Sequence, residues 1–308
     1  MALMELKQTL PIILDGGMGR ELQRIGAPFQ QPEWSAQALI EKPDSISQVH
    51  QNFIDAGAEI ITTNTYALVP FHIGEQRFQK LGNELIKLAS KLARDCADKQ
   101  ANVLVAGCIP PVLGSYRPDL FNIEQAKPLI EALIVNQEEN IDFWLAETIS
   151  SISEARLIKD RTSSTEKATW VAFTINDEIS DLPTLRSGES VYDAVMEIAG
   201  NNVSAILFNC SRIEAMEAAL QIAHKALLQL NLLEQVKLGV YANNFPPIGN
   251  LHEANNALSS VRKDITAEKY SEFALRWIDA GASIIGGCCG ISPQHIQKLA
   301  DLKQKYKA

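Results

Sequence analysis

Short apolar runs alternate with longer amphipathic segments along the chain. Eight such runs predict buried strands, at residues 12–14, 59–63, 102–106, 142–146, 169–174, 203–208, 236–241 and 282–285. Between them, apolar residues recur at helical spacing, most clearly at 75–98, 124–136, 153–159, 215–228 and 267–279. A last helix is predicted after Ser292 and Pro293, a typical N-cap and first-turn pair. The chain therefore repeats a strand-then-helix unit.

Near-continuous apolar strands joined by helices are typical of a parallel sheet that helices cover. Eight such units in 308 residues predict an α/β protein, a single-domain (β/α)8 TIM barrel over residues 1–308. A doubly wound open sheet is the alternative, although no GxGxxG motif follows the first strand. The longest loops, at 26–34, 110–121 and 242–264, would follow the first, third and seventh strands and overlie the barrel mouth.

Polar residues stand where several predicted strands end. They are Asp15 after the first strand, the 62–66 segment after the second, Glu147 after the fourth, and Asn209 with Cys210 after the sixth. In a barrel these ends surround one cavity. Asp15 precedes two glycines and also suits a turn, and the 62–66 segment also suits a strand end. Glu147 directly follows an apolar run, so its carboxylate must be paired or face a ligand to offset desolvation.

Two adjacent cysteines, Cys288 and Cys289, lie within a glycine-flanked segment after the eighth strand. On a regular strand their side chains would point to opposite faces, but the flanking glycines let the backbone leave strand geometry. With Cys210, they predict a three-cysteine zinc site with an open fourth position, the pattern of catalytic zinc. Cysteines packed as small buried hydrophobes, or a vicinal disulfide, are the alternatives. Cys96, expected to pack on a helix, and Cys108 are assigned no role.

Composition narrows the class of protein. A formal net charge of -9 and a pI near 5.2 argue against a nucleic-acid partner. No apolar run approaches the roughly 20 residues of a membrane span, and the first residues lack the features of a signal peptide. Five cysteines, an odd number, fit a reducing compartment better than a disulfide framework. We therefore expect a cytoplasmic protein that acts on small molecules.

Several motifs together resemble one family, the zinc-dependent homocysteine S-methyltransferases, which include the betaine–homocysteine and S-methylmethionine–homocysteine enzymes. The motifs are DGGMG at 15–19, TTNTY at 62–66, AET at 146–148, NC at 209–210 and GGCCG at 286–290. The resemblance implies a (β/α)8 barrel with Zn²⁺ held by three cysteines. The zinc ligands it implies are Cys210, Cys288 and Cys289. The substrate-binding residues it implies are Asp15 and Glu147, toward the amino group of homocysteine, with Thr63, Thr65, Tyr66 and Asn209.

The function implied by this resemblance is methyl transfer from a sulfonium or ammonium donor to the zinc-bound thiolate of homocysteine, which gives methionine. S-methylmethionine or S-adenosylmethionine is the favoured donor, and no separate general base is expected. The alternative is a zinc- or thiol-binding barrel that uses another thiol acceptor or transfers no methyl group. Arg20 and the divergent 107–119 loop depart from the family pattern, as do residues 211–214 after Cys210, and these positions lie where the methyl donor would enter.

Overall fold

The computed structural model describes residues 10–247 and 260–305. Strands alternate with helices along the chain. The strands are β1 Ile12–Ile13, β2 Ile60–Thr62, β3 Leu104–Ile109, β4 Phe143–Ile149, β5 Thr169–Phe173, β6 Val203–Arg212, β7 Lys237–Asn243 and β8 Ile284–Ile285. The α-helices are α1 Met18–Arg24, α2 Ser35–Glu41, α3 Asp44–Asp55, α4 Pro70–Ile73, α5 Glu75–Ala97, α6 Ile123–Gln137, α7 Ile152–Thr162, α8 Val191–Ile198, α9 Met216–Leu230, α10 Ala267–Asp279 and α11 Pro293–Lys305.

The eight strands form one parallel sheet in the order β1-β8-β7-β6-β5-β4-β3-β2. The first and second strands close the ring through a parallel bridge between Leu14 and Ile60. Two backbone bonds flank that bridge: the Glu59 amide donates to the Ile13 carbonyl at 2.8 Å, and the Asp15 amide donates to the Ile60 carbonyl at 3.0 Å. The predicted (β/α)8 barrel is therefore confirmed, and the open-sheet alternative is wrong.

Side chains alternate between the inside of the barrel and the layer beneath the helices, as the period of a strand requires. In β4, Phe143 and Leu145 fill the barrel interior, whereas Trp144 and Ala146 pack under the helices. Phe143 stacks on Trp170 of β5 with ring centroids 4.2 Å apart. Because large side chains fill the interior, any pocket must lie at an end of the barrel.

Most predicted elements lie within a few residues of the observed ones, and α10 matches its prediction. The differences matter at β3 and β4, which each continue three residues beyond the predicted ends, to Ile109 and Ile149. Glu147 thus lies inside a strand and not after it. Residues 248–259 of the predicted 242–264 loop lie outside the described residues. None of the described helices is both long and apolar enough to cross a bilayer.

Candidate active site

The carboxyl ends of the strands enclose a cavity of about 210 Å³. Its floor combines sulfur and carboxyl groups, and its walls are largely aromatic. The floor residues are Asp15, Glu147, Cys210, Cys288 and Cys289, and the aromatic residues are Phe29, Trp34, Tyr66, His72, Tyr116, Tyr241 and Phe245. Residues that are more than 270 positions apart in sequence therefore meet in one cavity, as the barrel prediction required.

The three cysteines that the sequence singled out come together. Their sulfur atoms all lie within 4.8 Å of one another, and the Cys210 and Cys289 sulfurs are 3.8 Å apart. Strand alternation alone would turn Cys210 away from the cavity, because Leu207 and Asn209 take the inward positions. A φ of 48° at Cys210 breaks the alternation, and the pairing with β7 becomes irregular between Asn209 and Arg212. The backbone thereby brings the thiol back over the barrel mouth.

Close packing holds the segment that carries Cys288 and Cys289 against the barrel. A Cβ atom on Gly286 would lie 2.4 Å from the Leu14 Cβ, and one on Gly287 would lie 2.1 Å from Cγ2 of Ile291. Glycine is therefore required at both positions for steric reasons. The Gly287 amide donates to the Asp15 carbonyl at 2.9 Å, which couples the cysteine segment directly to the first strand.

The donor set fits a metal ion. Hydrogen bonds from neighbouring thiols, that of Cys288 first, hold the pKa of Cys210 well below its usual range. The hydrogen bond with Cys210 is the largest cause of the raised pKa values of Cys288 and Cys289. Without a cation the cluster thus favours one thiolate beside two thiols. Tetrahedral zinc with Zn–S bonds of about 2.3 Å requires sulfur atoms about 3.8 Å apart, which matches the Cys210–Cys289 separation.

The two predicted carboxyls lie in the same cavity, where Asp15 is buried and Glu147 is mostly buried. Asp15 accepts hydrogen bonds from the Thr62 amide at 2.8 Å and the Thr62 hydroxyl at 3.1 Å. Burial raises the pKa of Asp15 to about 8, in spite of the opposing bond from the Thr62 amide. Burial likewise raises the pKa of Glu147 to about 7. Two buried acids with raised pKa values lack a cation among the described residues, and a cationic group of a ligand would satisfy both.

The remaining predicted substrate-binding residues divide into two groups. Tyr66 and Thr63 line the cavity, and the Tyr66 hydroxyl lies 2.7 Å from the Ser115 hydroxyl. Thr65 and Asn209 are fully buried and lie behind the cavity wall. The Asn209 side chain accepts from the Thr148 amide at 2.9 Å and thereby ties β6 to β4. Thr65 and Asn209 therefore support the residues that line the site and do not form its surface.

Three residues that the sequence did not assign to the site contact its functional groups. The Cys108 thiol donates to Glu147 Oε1 at 3.0 Å, and the Tyr241 hydroxyl donates to Oε2 at 3.3 Å. Gln137, at the end of α6, reaches the buried backbone of Cys108. Cys108 follows Ala106, which faces the barrel interior, by two residues on β3, and Tyr241 on β7 also faces the interior. The alternation of side chains along a strand was therefore the sequence signal available for both residues.

Comparison with known proteins agrees with this arrangement. A profile of the homocysteine S-methyltransferase family matches residues 12–302. The chain belongs to this family. It is 28% identical over 309 residues to a homocysteine S-methyltransferase of Escherichia coli (strain K12), with 94% of each chain covered. It is 26% identical over 321 residues to homocysteine S-methyltransferase 1 of Brassica oleracea var. italica, covering 95% of this chain and 94% of that relative.

A solved member of the family has the same fold and size. The metallated form of the homocysteine methyltransferase MmuM from Escherichia coli superposes with a TM-score of 0.72 at 27% identity. The match covers 96% of this chain and 98% of that one. The family assignment therefore rests on the whole barrel and not on the cysteine motif alone.

Two of the departures from the family pattern lie at the cavity mouth. Arg20 lines the cavity with its guanidinium 5.9 Å from the centre of the Phe245 ring. The divergent loop contributes Tyr116, whose φ is 62° and whose hydroxyl donates to the Cys210 carbonyl at 3.4 Å. The Arg186 guanidinium lies 5.3 Å from the centre of the Tyr116 ring. The divergent residues therefore line the cavity, and Tyr116 supports one of the three cysteines.

Proposed function

We propose that the protein is a homocysteine S-methyltransferase that moves a methyl group from a cationic donor to the thiol of homocysteine, which gives methionine. The observation that carries this proposal is the meeting of three cysteine sulfurs with two buried carboxyls in one cavity of about 210 Å³. The sulfurs suit a metal that activates a thiol, and the carboxyls suit an ammonium group. An α-amino acid with a side-chain thiol satisfies both requirements.

The metal of this proposal is zinc, and Cys210, Cys288 and Cys289 would hold it. Three protein ligands leave a position for substrate, whereas a structural zinc site has four. When bound, zinc supplies a Lewis acid that keeps a substrate thiol deprotonated at neutral pH. The sulfur spacing supports this assignment, and so does a relative that was solved in a metallated form.

The carboxyls of Asp15 and Glu147 would bind and orient the ammonium group of homocysteine. Both are buried and protonated more readily than usual when the cavity is empty, so an arriving ammonium replaces a proton as their partner. Charge-assisted hydrogen bonds in such a site are about twice as strong as neutral ones. This binding fixes the direction of the amino acid, so that its thiol points toward the cysteines.

The aromatic walls suit a cationic methyl donor. Trp34, Tyr66 and Tyr116 line the cavity, and aromatic faces attract cations without needing a counter-charge. A sulfur–carbon bond forms to homocysteine while the bond from the methyl group to its donor breaks, and the donor leaves as a neutral molecule. A sulfonium donor, S-methylmethionine or S-adenosylmethionine, is preferred because a neutral thioether is a better leaving group than an amine. Opposite charges disappear in this step, which a water-poor cavity favours.

Methionine formation by the zinc-loaded protein tests the proposal. Homocysteine is supplied with S-methylmethionine, S-adenosylmethionine or betaine in parallel reactions, and methionine is measured by mass spectrometry. We expect turnover with a sulfonium donor and a large increase in the KM for homocysteine in Asp15→Asn. Absence of methionine with every donor, although homocysteine binds, would favour a barrel with another acceptor or without transfer activity.

A further inference from the structure

Both oxygens of the Glu147 carboxyl accept hydrogen bonds, one from the adjacent strand β3 and one from β7 across the barrel. The Cys108 thiol on β3 donates to Oε1 at 3.0 Å, and the Tyr241 hydroxyl on β7 donates to Oε2 at 3.3 Å. A carboxyl group with a donor on each oxygen keeps its plane and its direction. Cys108 is fully buried, so its thiol contacts Glu147 without competition from water.

The backbone of Cys108 is fixed by a polar network behind the cavity. Its amide donates to the Thr63 hydroxyl at 2.9 Å, and its carbonyl accepts from the Thr65 hydroxyl at 2.9 Å and from the Gln137 side-chain Nε2 at 3.0 Å. The Thr63 hydroxyl donates in turn to the Gln137 side-chain Oε1 at 2.6 Å. All four residues are buried, and two segments supply the partners of the Cys108 backbone: the loop after β2 and the end of α6. Such a network fixes the backbone from which the thiol extends toward Glu147.

The chemistry of the thiol suits this position. Burial, followed by the nearby Glu147 charge, raises the pKa of Cys108 well above its usual range, so the group stays protonated and acts as a neutral donor. A donor beside a carboxyl favours the ionised form, which opposes the effect of burial on Glu147. The same contact therefore orients the carboxyl group and favours the charge that an ammonium group requires.

We propose that Cys108 is a positioning residue for substrate recognition: its backbone is held by Thr63, Thr65 and Gln137, and its thiol keeps the Glu147 carboxyl directed at the ammonium group of the thiol substrate. The inference rests on the proposed binding of homocysteine. By this inference, Thr63 and Thr65 act on substrate binding indirectly, because they hold the backbone of Cys108. This role is in addition to the substrate contact that their motif implied.

Three variants of the zinc-loaded protein separate this role from a structural one. Cys108→Ala removes the donor, Cys108→Ser replaces it with a hydroxyl, and Cys96→Ala removes another buried thiol whose partner is the Ser47 carbonyl at 3.6 Å. Loss of a hydrogen bond to a charged group predicts a rise of about tenfold or more in the homocysteine KM for Cys108→Ala. We expect kcat and the donor KM to stay within about threefold, and Cys108→Ser and Cys96→Ala to resemble the unmutated protein.

Two further readouts respond to positioning and not to folding. The pH below which homocysteine binding weakens should move upward in Cys108→Ala, because the carboxyl loses a donor that favours its charge. With 4-mercaptobutanoate, which has the thiol but no amine, Cys108→Ala and the unmutated protein should bind equally. Melting temperatures of all variants show whether each one folds.

The outcomes also separate this inference from the proposed function. If the unmutated protein fails to bind homocysteine in calorimetry, the proposed function fails, and this inference fails with it. If it binds homocysteine and Cys108→Ala binds equally well with the same pH profile, only the inference is overturned. An equal loss of affinity in Cys108→Ala and Cys108→Ser, or an equal loss for 4-mercaptobutanoate, would also overturn it.

Discussion

Raising the pH from about 6 to about 8 should strengthen the binding of an amino-acid ligand, because an ammonium group binds ionised carboxylates. Burial raises the pKa of Asp15 to about 8 and that of Glu147 to about 7. Both groups are therefore largely protonated at about pH 6 in the empty cavity. Methionine is the ligand of choice for this test, because its thioether does not ionise and any proton exchange comes from the protein.

The size of the effect follows from the free energy of ionising each group. At about pH 6 that free energy is about 1 kcal/mol for Glu147 and about 3 kcal/mol for Asp15, and at about pH 8 it is below about 1 kcal/mol for each. If Glu147 alone must ionise, the Kd for methionine should fall about tenfold across this range. If both must ionise, it should fall several hundredfold.

Isothermal titration calorimetry of the zinc-loaded protein measures both quantities. Titrations in two buffers with different ionisation enthalpies count the protons released, about one for the first case and nearly two for the second at about pH 6. Asp15→Asn and Glu147→Gln serve as controls, since each removes one of the two groups. An equal Kd at both pH values, without proton release, would refute the role of these carboxyls.

Two other predictions concern single positions. Glu154 accepts a hydrogen bond from the Ser150 amide at 3.1 Å, and burial raises its pKa to about 7. The stability that Glu154 contributes is therefore complete below its unfolded pKa near 4.5 and is lost as the pH rises through about 7. In denaturant titrations Glu154→Gln should be more stable than the unmutated protein by about 3 kcal/mol at about pH 8 and by less than about 1 kcal/mol at about pH 5. The control is Glu84→Gln, because Glu84 is exposed. An equal effect of Glu154→Gln at both pH values would contradict the prediction. Gly287→Ala should lose about 1–3 kcal/mol of stability and retain less zinc, because its Cβ would lie 2.1 Å from Cγ2 of Ile291; an unchanged melting temperature and zinc content would count against this.

The fold was predictable because each strand is a short apolar run and each run is followed by a helix. The strand ends were less predictable at β3 and β4, which each continue three residues beyond the apolar run that predicted them. Short helices such as α1, α2 and α4 were not identified, because four to seven residues are too few to show a helical period. Their packing on the barrel supplies the stability that propensity cannot.

The cysteines and carboxyls of the site were predictable from where they stand in the chain, but their supports were not. Cys108 has the sequence environment of a core residue, and only the length of β3 places its thiol inside the barrel beside Glu147. Gln137 lies at the end of a helix, where a polar residue is ordinary, and its burial depends on tertiary packing. The positive φ of Cys210 could not be foreseen either, because residues other than glycine rarely adopt it.

Zinc content and methionine formation are best compared in the same samples of the unmutated protein and Cys288→Ala. We expect about one zinc ion per chain and turnover in the unmutated protein, with both lost in the variant. Cys96→Ala, which removes a buried cysteine outside the cluster, should keep both. A Cys288→Ala protein that forms methionine at the normal rate without zinc would contradict the account.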